Sequence, residues 1–227
     1  MGRRAIQGGF LSTTSTLMIS AQDRLNLLLP AWTALLSCWA EQGTLAAAAQ
    51  QALQPGGSAA ELDALILNWS KGDTSTLPPI ELLSGEAMPG AAGAYSGTTN
   101  TIYLNASWLE SANTEAALAV LTEELGHWLD NKLNSSDTPG DEGQLFAALL
   151  MGKALSQQDL DQIKTETDLI SLTLSSGEVL LAEASLIQGT EGDDTLTGDG
   201  FDNEIYGFGG NDSINGEAGA DLIDGGD

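Results

Sequence analysis

One histidine lies among acidic residues whose spacing could support metal or acid–base chemistry. Glu123 and His127 are four residues apart and Asp130 follows three later, so a helix would place all three on one face. Carboxylate oxygens and imidazole nitrogens are ligands of zinc and other divalent metals. Glu142, in the sequence PGDEG, could supply another ligand, and Glu124 could act as general base on a metal-bound water. The spacing therefore predicts a metal site around His127, for which Zn²⁺ is a candidate ion.

The same segment resembles the active-site helix of zinc metallopeptidases, the zincins. Their H-E-x-x-H motif places two histidines one helical turn apart with a general-base glutamate between them. Here Glu123 stands at the first ligand, Glu124 at the base and His127 at the second ligand. The sequence NTIYLN at 100–105 precedes the helix, as the substrate-aligning edge strand does in that fold. The resemblance implies a metallopeptidase, and the glutamate at position 123 implies weaker zinc binding than two histidines would give.

Two other interpretations of this segment stay open. The group around His127 could bind a metal without catalysing proteolysis. Alternatively, His127 could be a structural residue that forms salt bridges with neighbouring acids, as in an inactive zincin-like domain. Both interpretations predict a front domain that is not an enzyme.

Four aliphatic residues recur every nine residues near the C-terminus. From Gly189 the chain divides into GTEGDDTLT, GDGFDNEIY, GFGGNDSIN and GEAGADLID, followed by GGD. The eighth positions hold Leu196, Ile205, Ile214 and Ile223, and the sixth positions hold Asp194, Asn203, Asp212 and Asp221. Glycines permit tight turns whose carbonyls can face a cation, and aspartates add charge. An acidic disordered tail would not require the aliphatic period, so we expect a calcium-binding coil.

Calcium is expected between turns on the same side of this coil. Two nonapeptides form one full turn, which brings Asp194 next to Asp212 and Asn203 next to Asp221. The first pair should bind more tightly, because Asn203 lacks a charge and Phe201 replaces a glycine. Further predicted calcium-site residues are the glycines Gly192, Gly207, Gly209, Gly210 and Gly216. Without calcium we expect the segment to be unfolded, because its charges are uncompensated.

The nonapeptides closely resemble the RTX, or haemolysin-type, calcium-binding repeat over 39 of 227 residues. The resemblance implies a parallel β-roll, export by type I secretion machinery and folding in the calcium-rich extracellular medium. The protein is therefore expected to be secreted, with Ca²⁺ as its cofactor. Because the final GGD begins a fifth block, we expect further repeats in the full protein.

A second resemblance covers residues 60–187. The pattern E-E-x-G-H-x-x-D, followed by N-x-x-D-T-P-G-D-E-G, is similar to an uncharacterised module that precedes RTX repeats in bacterial, notably cyanobacterial, exported proteins. This likeness implies no activity and identifies no extracellular partner.

Charge and composition exclude several classes of function. The chain has 32 acidic and 7 basic residues and a net charge of −25, so nucleic acids and anionic membranes are unlikely partners. Cys38 is the only cysteine, which excludes an intramolecular disulfide. The apolar stretch 25–40 is too short to span a bilayer. It could be a late signal sequence, with cleavage before Cys38, but its spacing favours a buried amphipathic helix.

The expected fold class is α+β, with a mostly helical N-terminal domain followed by a C-terminal parallel β-roll. We predict a flexible leader at 1–21, an α+β domain at 22–187 and the RTX repeats at 188–227. Within the domain, three helices are expected between 22 and 70, followed by a loop at 90–99, a strand at 100–105, helices at 114–133, 142–151 and 156–166, and a hairpin at 168–184.

Overall fold

The computed structural model describes residues 19–56, 59–88, 90–165, 169–187, 189, 192–198, 204–216 and 221–226. Most of the predicted leader lies outside these residues. The helices are α1 (Ala21–Gln42), α2 (Thr44–Ala52), α3 (Ala59–Trp69), α4 (Ala106–Ser111), α5 (Thr114–Leu133), α6 (Glu142–Met151) and α7 (Gln157–Ile163). The strands are β1 (Ile80–Leu83), β2 (Ala91–Ser96), β3 (Thr101–Asn105), β4 (Leu169–Thr173), β5 (Val179–Leu186), β6 (Thr195–Thr197), β7 (Glu204–Tyr206), β8 (Ser213–Asn215) and β9 (Leu222–Asp224).

The first helix contains the apolar stretch for which a signal sequence was the alternative. It begins after Ser20, whose hydroxyl accepts a hydrogen bond from the Asp23 amide, and it ends at Gly43 in the left-handed conformation. Leu25, Leu28, Trp32, Leu36 and Trp39 of this helix are buried. The prediction of a buried amphipathic helix is therefore confirmed. No helix in the described part of the chain is long and apolar enough to cross a membrane.

The helix α5 has the bounds that the sequence predicts. The Asn113 side chain accepts a hydrogen bond from the Ala116 amide and so caps the first turn. The helix packs against α6 and against the strands β2 and β5. Every residue from Glu124 to Asp130 is buried, including the charged ones. Glu124, His127 and Asp130 of α5 therefore face the interior of the fold, whereas Glu115 and Lys132 are exposed.

Five strands form one sheet in the order β1-β3-β2-β5-β4. The strands β1 and β3 pair in parallel, and the other pairs are antiparallel. The predicted loop at 90–99 is wrong over 91–96, because these residues form β2, which is completely buried. Small residues make β2 hard to recognise in the sequence, but they let α5 approach closely. A Cβ added at Gly93 would lie 2.8 Å from Glu124 Oε1.

The comparison of NTIYLN with a substrate-aligning edge strand is also wrong. This segment forms β3, which lies between β1 and β2. Its backbone groups are engaged by strands on both sides, so it has no free edge to offer an extended peptide. The two edges of the sheet are β1 and β4.

The repeat strands pair with an offset of 18 residues. Leu196 pairs with Ile214 in the parallel sheet β6-β8, and Ile205 pairs with Ile223 in the parallel sheet β7-β9. The prediction that alternate nonapeptides stack on the same side is confirmed. Within the described residues the two pairs remain separate two-stranded sheets and do not form a closed roll. Ile205 belongs to the same apolar core as the helices.

Candidate functional site

The two sixth-position aspartates on one side of the repeats are in contact. The Asp194 amide donates a hydrogen bond of 3.0 Å to Asp212 Oδ1, and the Ser213 amide donates one of 2.8 Å to the Asp194 carbonyl. The second carboxylate oxygen of Asp212, Oδ2, is buried and has no hydrogen-bond partner among the described residues. The structure thus brings together the pair that the sequence predicts as the stronger calcium site.

The first glycine of a repeat leaves room for the carboxylate of the same repeat. A Cβ added at Gly189 would lie 3.0 Å from Asp194 Oδ2, and one at Gly207 would lie 2.5 Å from Asp212 Oδ2. Gly216 has the same relation to Asp221. These glycines therefore allow each aspartate to fold back over the start of its own block.

The other residues predicted for the calcium sites do not all lie at the contact between Asp194 and Asp212. Gly210, with φ +117°, lies against the turn before it, since an added Cβ would be 2.6 Å from the Gly192 carbonyl oxygen. Gly209 is buried, and Asp221 is half-buried at the start of β9. Asn203 lies outside the described residues, so the predicted pairing of Asn203 with Asp221 stays a prediction.

Asp193, which the sequence analysis did not select, also joins two turns. Its carboxylate accepts a hydrogen bond of 2.8 Å from the Asn211 amide, 18 residues further on. Both residues occupy the fifth position of their blocks. A polar residue at this position in both blocks was the signal that could have identified this contact.

His127 lies fully buried at the junction of α5, α6 and β5. Its Nδ1 is 2.9 Å from Glu142 Oε1 and 3.4 Å from Glu183 Oε2, and its Nε2 is 3.7 Å from Asp141 Oδ1. Asp141 begins α6 and accepts a hydrogen bond from the Gln144 amide. Gly143 makes this approach possible, since an added Cβ would be 2.6 Å from His127 Cε1. The first turn of α6 is therefore packed directly on the imidazole.

Opposing effects act on the pKa of His127. Burial by itself lowers the pKa, but the hydrogen bond with Glu142 raises it, as do the charges of Glu142, Asp141 and Glu124. The acidic groups prevail, and the pKa lies well above its usual value. The imidazole therefore lies within an acidic cluster that favours its protonated form.

The predicted metal ligands are divided between two groups that share His127. Ligand atoms of Glu123, His127 and Asp141 lie within 4.8 Å of one another, as do those of His127, Glu142 and Glu183. Neither Asp141 nor Glu183 was predicted from the sequence. Asp141 adjoins Glu142 in PGDEG and could have been considered, whereas Glu183 comes from β5 and no local spacing indicates it.

Two further acidic residues of α5, Glu124 and Asp130, contact other parts of the fold. Asp130 accepts hydrogen bonds from the Asn134 side chain and from both the amide and the hydroxyl of Thr138, so it holds the loop after α5. Glu124 is completely buried, and it lies against β2 where Gly93 leaves space. Glu124 therefore packs on the sheet, and Asp130 is grouped as a potential ligand with Asp137 and Glu142, not with Glu123.

A cavity of about 210 Å³ lies where the helices meet the first repeat. Glu123 of α5 and Gln144 of α6 line it, together with Leu196 of β6. Alanines make up much of the remaining wall: Ala92, Ala112, Ala116, Ala119, Ala147 and Ala148. Through this cavity, the Glu123 end of the histidine cluster adjoins the first repeat.

Comparison with known protein families identifies the repeats. Residues 188–223 match the RTX calcium-binding nonapeptide repeat in four copies. The chain therefore carries RTX calcium-binding repeats at the positions where the structure pairs β6 with β8 and β7 with β9. No curated protein and no solved structure matches the chain. The resemblance of the front domain to zincins stays a prediction.

Proposed function

We propose that this is a secreted calcium-binding protein whose repeats complete their folding when they bind extracellular Ca²⁺. The observation that carries the proposal is the Asp194/Asp212 contact, in which Asp212 Oδ2 is buried without a hydrogen-bond partner among the described residues. A buried carboxylate oxygen needs a compensating charge. The chain has no lysine or arginine after Lys164, so a cation from solution is the natural source of that charge.

Calcium suits this site better than other common cations. It accepts six to eight oxygen ligands in flexible geometry, and the glycine-rich turns offer carbonyls as well as carboxylates. In this proposal Ca²⁺ binds between same-side turns and joins the two parallel sheets into a β-roll. Gly192, Gly207, Gly209, Gly210 and Gly216 supply the turns, and Asn203 with Asp221 forms a weaker second site.

Export in an unfolded state follows from the same chemistry. Before calcium is bound, the acidic repeats repel one another and resist folding. Type I secretion machinery would then export the chain, and folding would follow outside the cell. The RTX repeats support this part of the proposal, because such repeats are typical of secreted proteins.

A calcium titration tests the proposal directly. Purified protein is stripped with a chelator, and far-ultraviolet circular dichroism and heat of binding are recorded as Ca²⁺ is added. We expect a gain of β-structure and saturable binding that Mg²⁺ at the same concentration does not reproduce. Absence of saturable calcium binding would contradict the proposal.

The alternative is a calcium-stabilised metallopeptidase in which Glu124 is the catalytic base. This alternative is supported by Glu123, His127 and Asp141, because one potential ligand atom from each lies close enough to the others to bind the same divalent ion. The 3.7 Å between His127 Nε2 and Asp141 Oδ1 is near the roughly 3.4 Å expected between two ligands of a tetrahedral zinc. Glu142 on Nδ1 would orient the imidazole, as carboxylates do for metal-binding histidines.

We favour a non-catalytic front domain over this alternative. Glu124 packs against β2 and belongs to none of the three groups of potential ligands among the described residues, and the interior position of β3 removes the predicted substrate strand. The test is zinc analysis of protein washed with a weak chelator, followed by a casein-cleavage assay. Stoichiometric zinc, with cleavage that Glu124→Gln abolishes and the exposed control Glu115→Gln retains, would overturn our preference.

A further inference from the structure

We propose that Ile187, directly after β5, continues the repeat array by one aliphatic position and is the positioning residue that fixes the calcium-binding turns to the front domain. The inference rests on the proposed calcium binding and extends it to a segment outside the motif. The family match begins at residue 188, so it does not include Ile187.

The position of Ile187 in the sequence agrees with the nonapeptide period. It precedes Leu196 by nine residues and Ile205 by 18, so it occupies the eighth position of a preceding block, LLAEASLIQ. This block contains no glycine and has serine at its sixth position. It therefore keeps the aliphatic element of a repeat but lacks the residues that bind calcium.

Backbone hydrogen bonds show that the chain at Ile187 and Gly189 is stacked like the strand of a repeat. The Gly189 amide donates to the Tyr206 carbonyl at 2.7 Å, and the Gly207 amide donates to the Asp224 carbonyl at 2.7 Å. These two bonds are equivalent and lie 18 residues apart. The Tyr206 amide also donates to the Ile187 carbonyl at 3.4 Å. Ile187 and Gly189 thus lie beside β7 as β7 lies beside β9.

The apolar residues on this side of the stack are buried at one end only. Ile187 is 6% exposed and Ile205 is completely buried, whereas Ile223 is 46% exposed. Both buried residues belong to the apolar core of the helices. Ile187 directly follows β5, which is hydrogen-bonded to β2 in the five-stranded sheet. The stack is therefore anchored to the front domain at its Ile187 end.

An anchored turn changes the energetics of calcium binding. In a linear array each turn is stabilised by its neighbours, so the first turn is the most costly to form. The front domain supplies a formed strand against which β7 can pair, so the calcium-binding turns do not have to nucleate alone. Calcium affinity then depends on a residue that has no contact with the ion.

Substitution of Ile187 tests this role. We expect Ile187→Ala to raise the calcium concentration at half-saturation about tenfold, which corresponds to about 1.4 kcal/mol. Ile187→Val should stay within about threefold of the parent protein, because it keeps most of the buried surface. The control Ile102→Ala removes an equally buried side chain from β3, and it should lower thermal stability without moving the calcium midpoint.

A second variant covers the case in which Ile187→Ala fails to fold. Two glycines inserted after residue 188 leave Ile187 in place but separate it from the repeats. We expect the insertion to weaken calcium binding while the thermal midpoint followed by tryptophan fluorescence stays unchanged. The five tryptophans all lie before residue 129, and Trp108 alone among them lines the cavity beside β6, so this reading mainly follows the front domain.

The outcomes separate this inference from the proposed function. Absence of calcium binding in the parent protein would contradict both. Binding in the parent protein that neither Ile187→Ala nor the insertion changes by more than twofold would overturn the positioning role alone.

Discussion

The Asp194 amide donates a hydrogen bond to Asp212 Oδ1 across 18 residues of chain, while the other oxygen of the same carboxylate is buried beside Gly207. One carboxylate thus has two tasks. Its first oxygen fixes the register of neighbouring turns, and its second is available to a cation. This division gives the aspartate at the sixth position and the glycine five residues earlier a joint role in this block.

Removal of the Asp212 charge should weaken calcium binding. Asp212→Asn keeps an oxygen that can accept the Asp194 hydrogen bond, but it removes the negative charge from the proposed site. We expect the calcium midpoint to rise about tenfold, or about 1.4 kcal/mol, in a calorimetric titration. The control Asp63→Asn removes one charge from the exposed face of α3 and should leave the midpoint unchanged. Equal shifts in both variants would mean that only net charge matters.

The repeats were the most predictable part of the fold. A nine-residue period with two blocks per turn determines that Leu196 pairs with Ile214, and no information from the rest of the chain is needed. The helix α5 was equally predictable from the sequence, because Asn113 provides a cap and apolar residues follow at helical spacing. Both elements depend on local patterns, which a single sequence displays.

The elements that were missed depend on distant partners. The strand β2 has the sequence AAGAYS, which lacks β-branched residues and is stabilised by its neighbours β3 and β5. Glu183 reaches His127 only because β5 lies next to β2 in the sheet. Spacing along α5 could identify His127 as a candidate, but it could not identify which carboxylates the sheet and α6 bring to it.

Packing of α6 on His127 should make Gly143 intolerant of substitution. In Gly143→Ala the added methyl group would lie 2.6 Å from His127 Cε1, so α6 or the imidazole must move. We expect a loss of about 2 kcal/mol in the free energy of unfolding, measured with urea. Gly56→Ala is the control, because its nearest neighbour would be 3.9 Å away. A neutral Gly143→Ala would show that the close contact is not maintained in solution.

Tyr95 should make stability depend on pH in the alkaline range. Burial raises its pKa to about 12, with a further contribution from the charge of Glu183. A raised pKa means that folding favours the neutral phenol. The resulting stability is complete below the unfolded pKa of about 10 and is lost as the pH rises through about 12. Its hydroxyl lies 3.3 Å from Asn100 Oδ1 and from Asn131 Oδ1.

The variant Tyr95→Phe isolates this effect. The difference in free energy of unfolding between the parent protein and the variant should be constant below pH about 10 and should fall between about 10 and 12. Urea denaturation across this range provides the measurement. A difference that does not change with pH would show that the phenol of Tyr95 ionises as readily in the folded chain as in the unfolded one.

Two tryptophans donate hydrogen bonds to threonines in different surroundings, and this offers a matched test of how α1 is held against α5. Trp32 Nε1 donates to Thr122 Oγ1 at 3.1 Å in the buried core, and Trp69 Nε1 donates to Thr76 Oγ1 at 3.1 Å beside the surface.

Thr122→Val preserves volume but leaves the indole N–H of Trp32 buried without its acceptor. We expect it to cost about 2 kcal/mol of the free energy of unfolding. Thr76→Val should cost less than about 1 kcal/mol, because Thr76 is exposed and water can replace its hydroxyl. Equal losses for the two variants would mean that burial does not determine the cost of losing the acceptor.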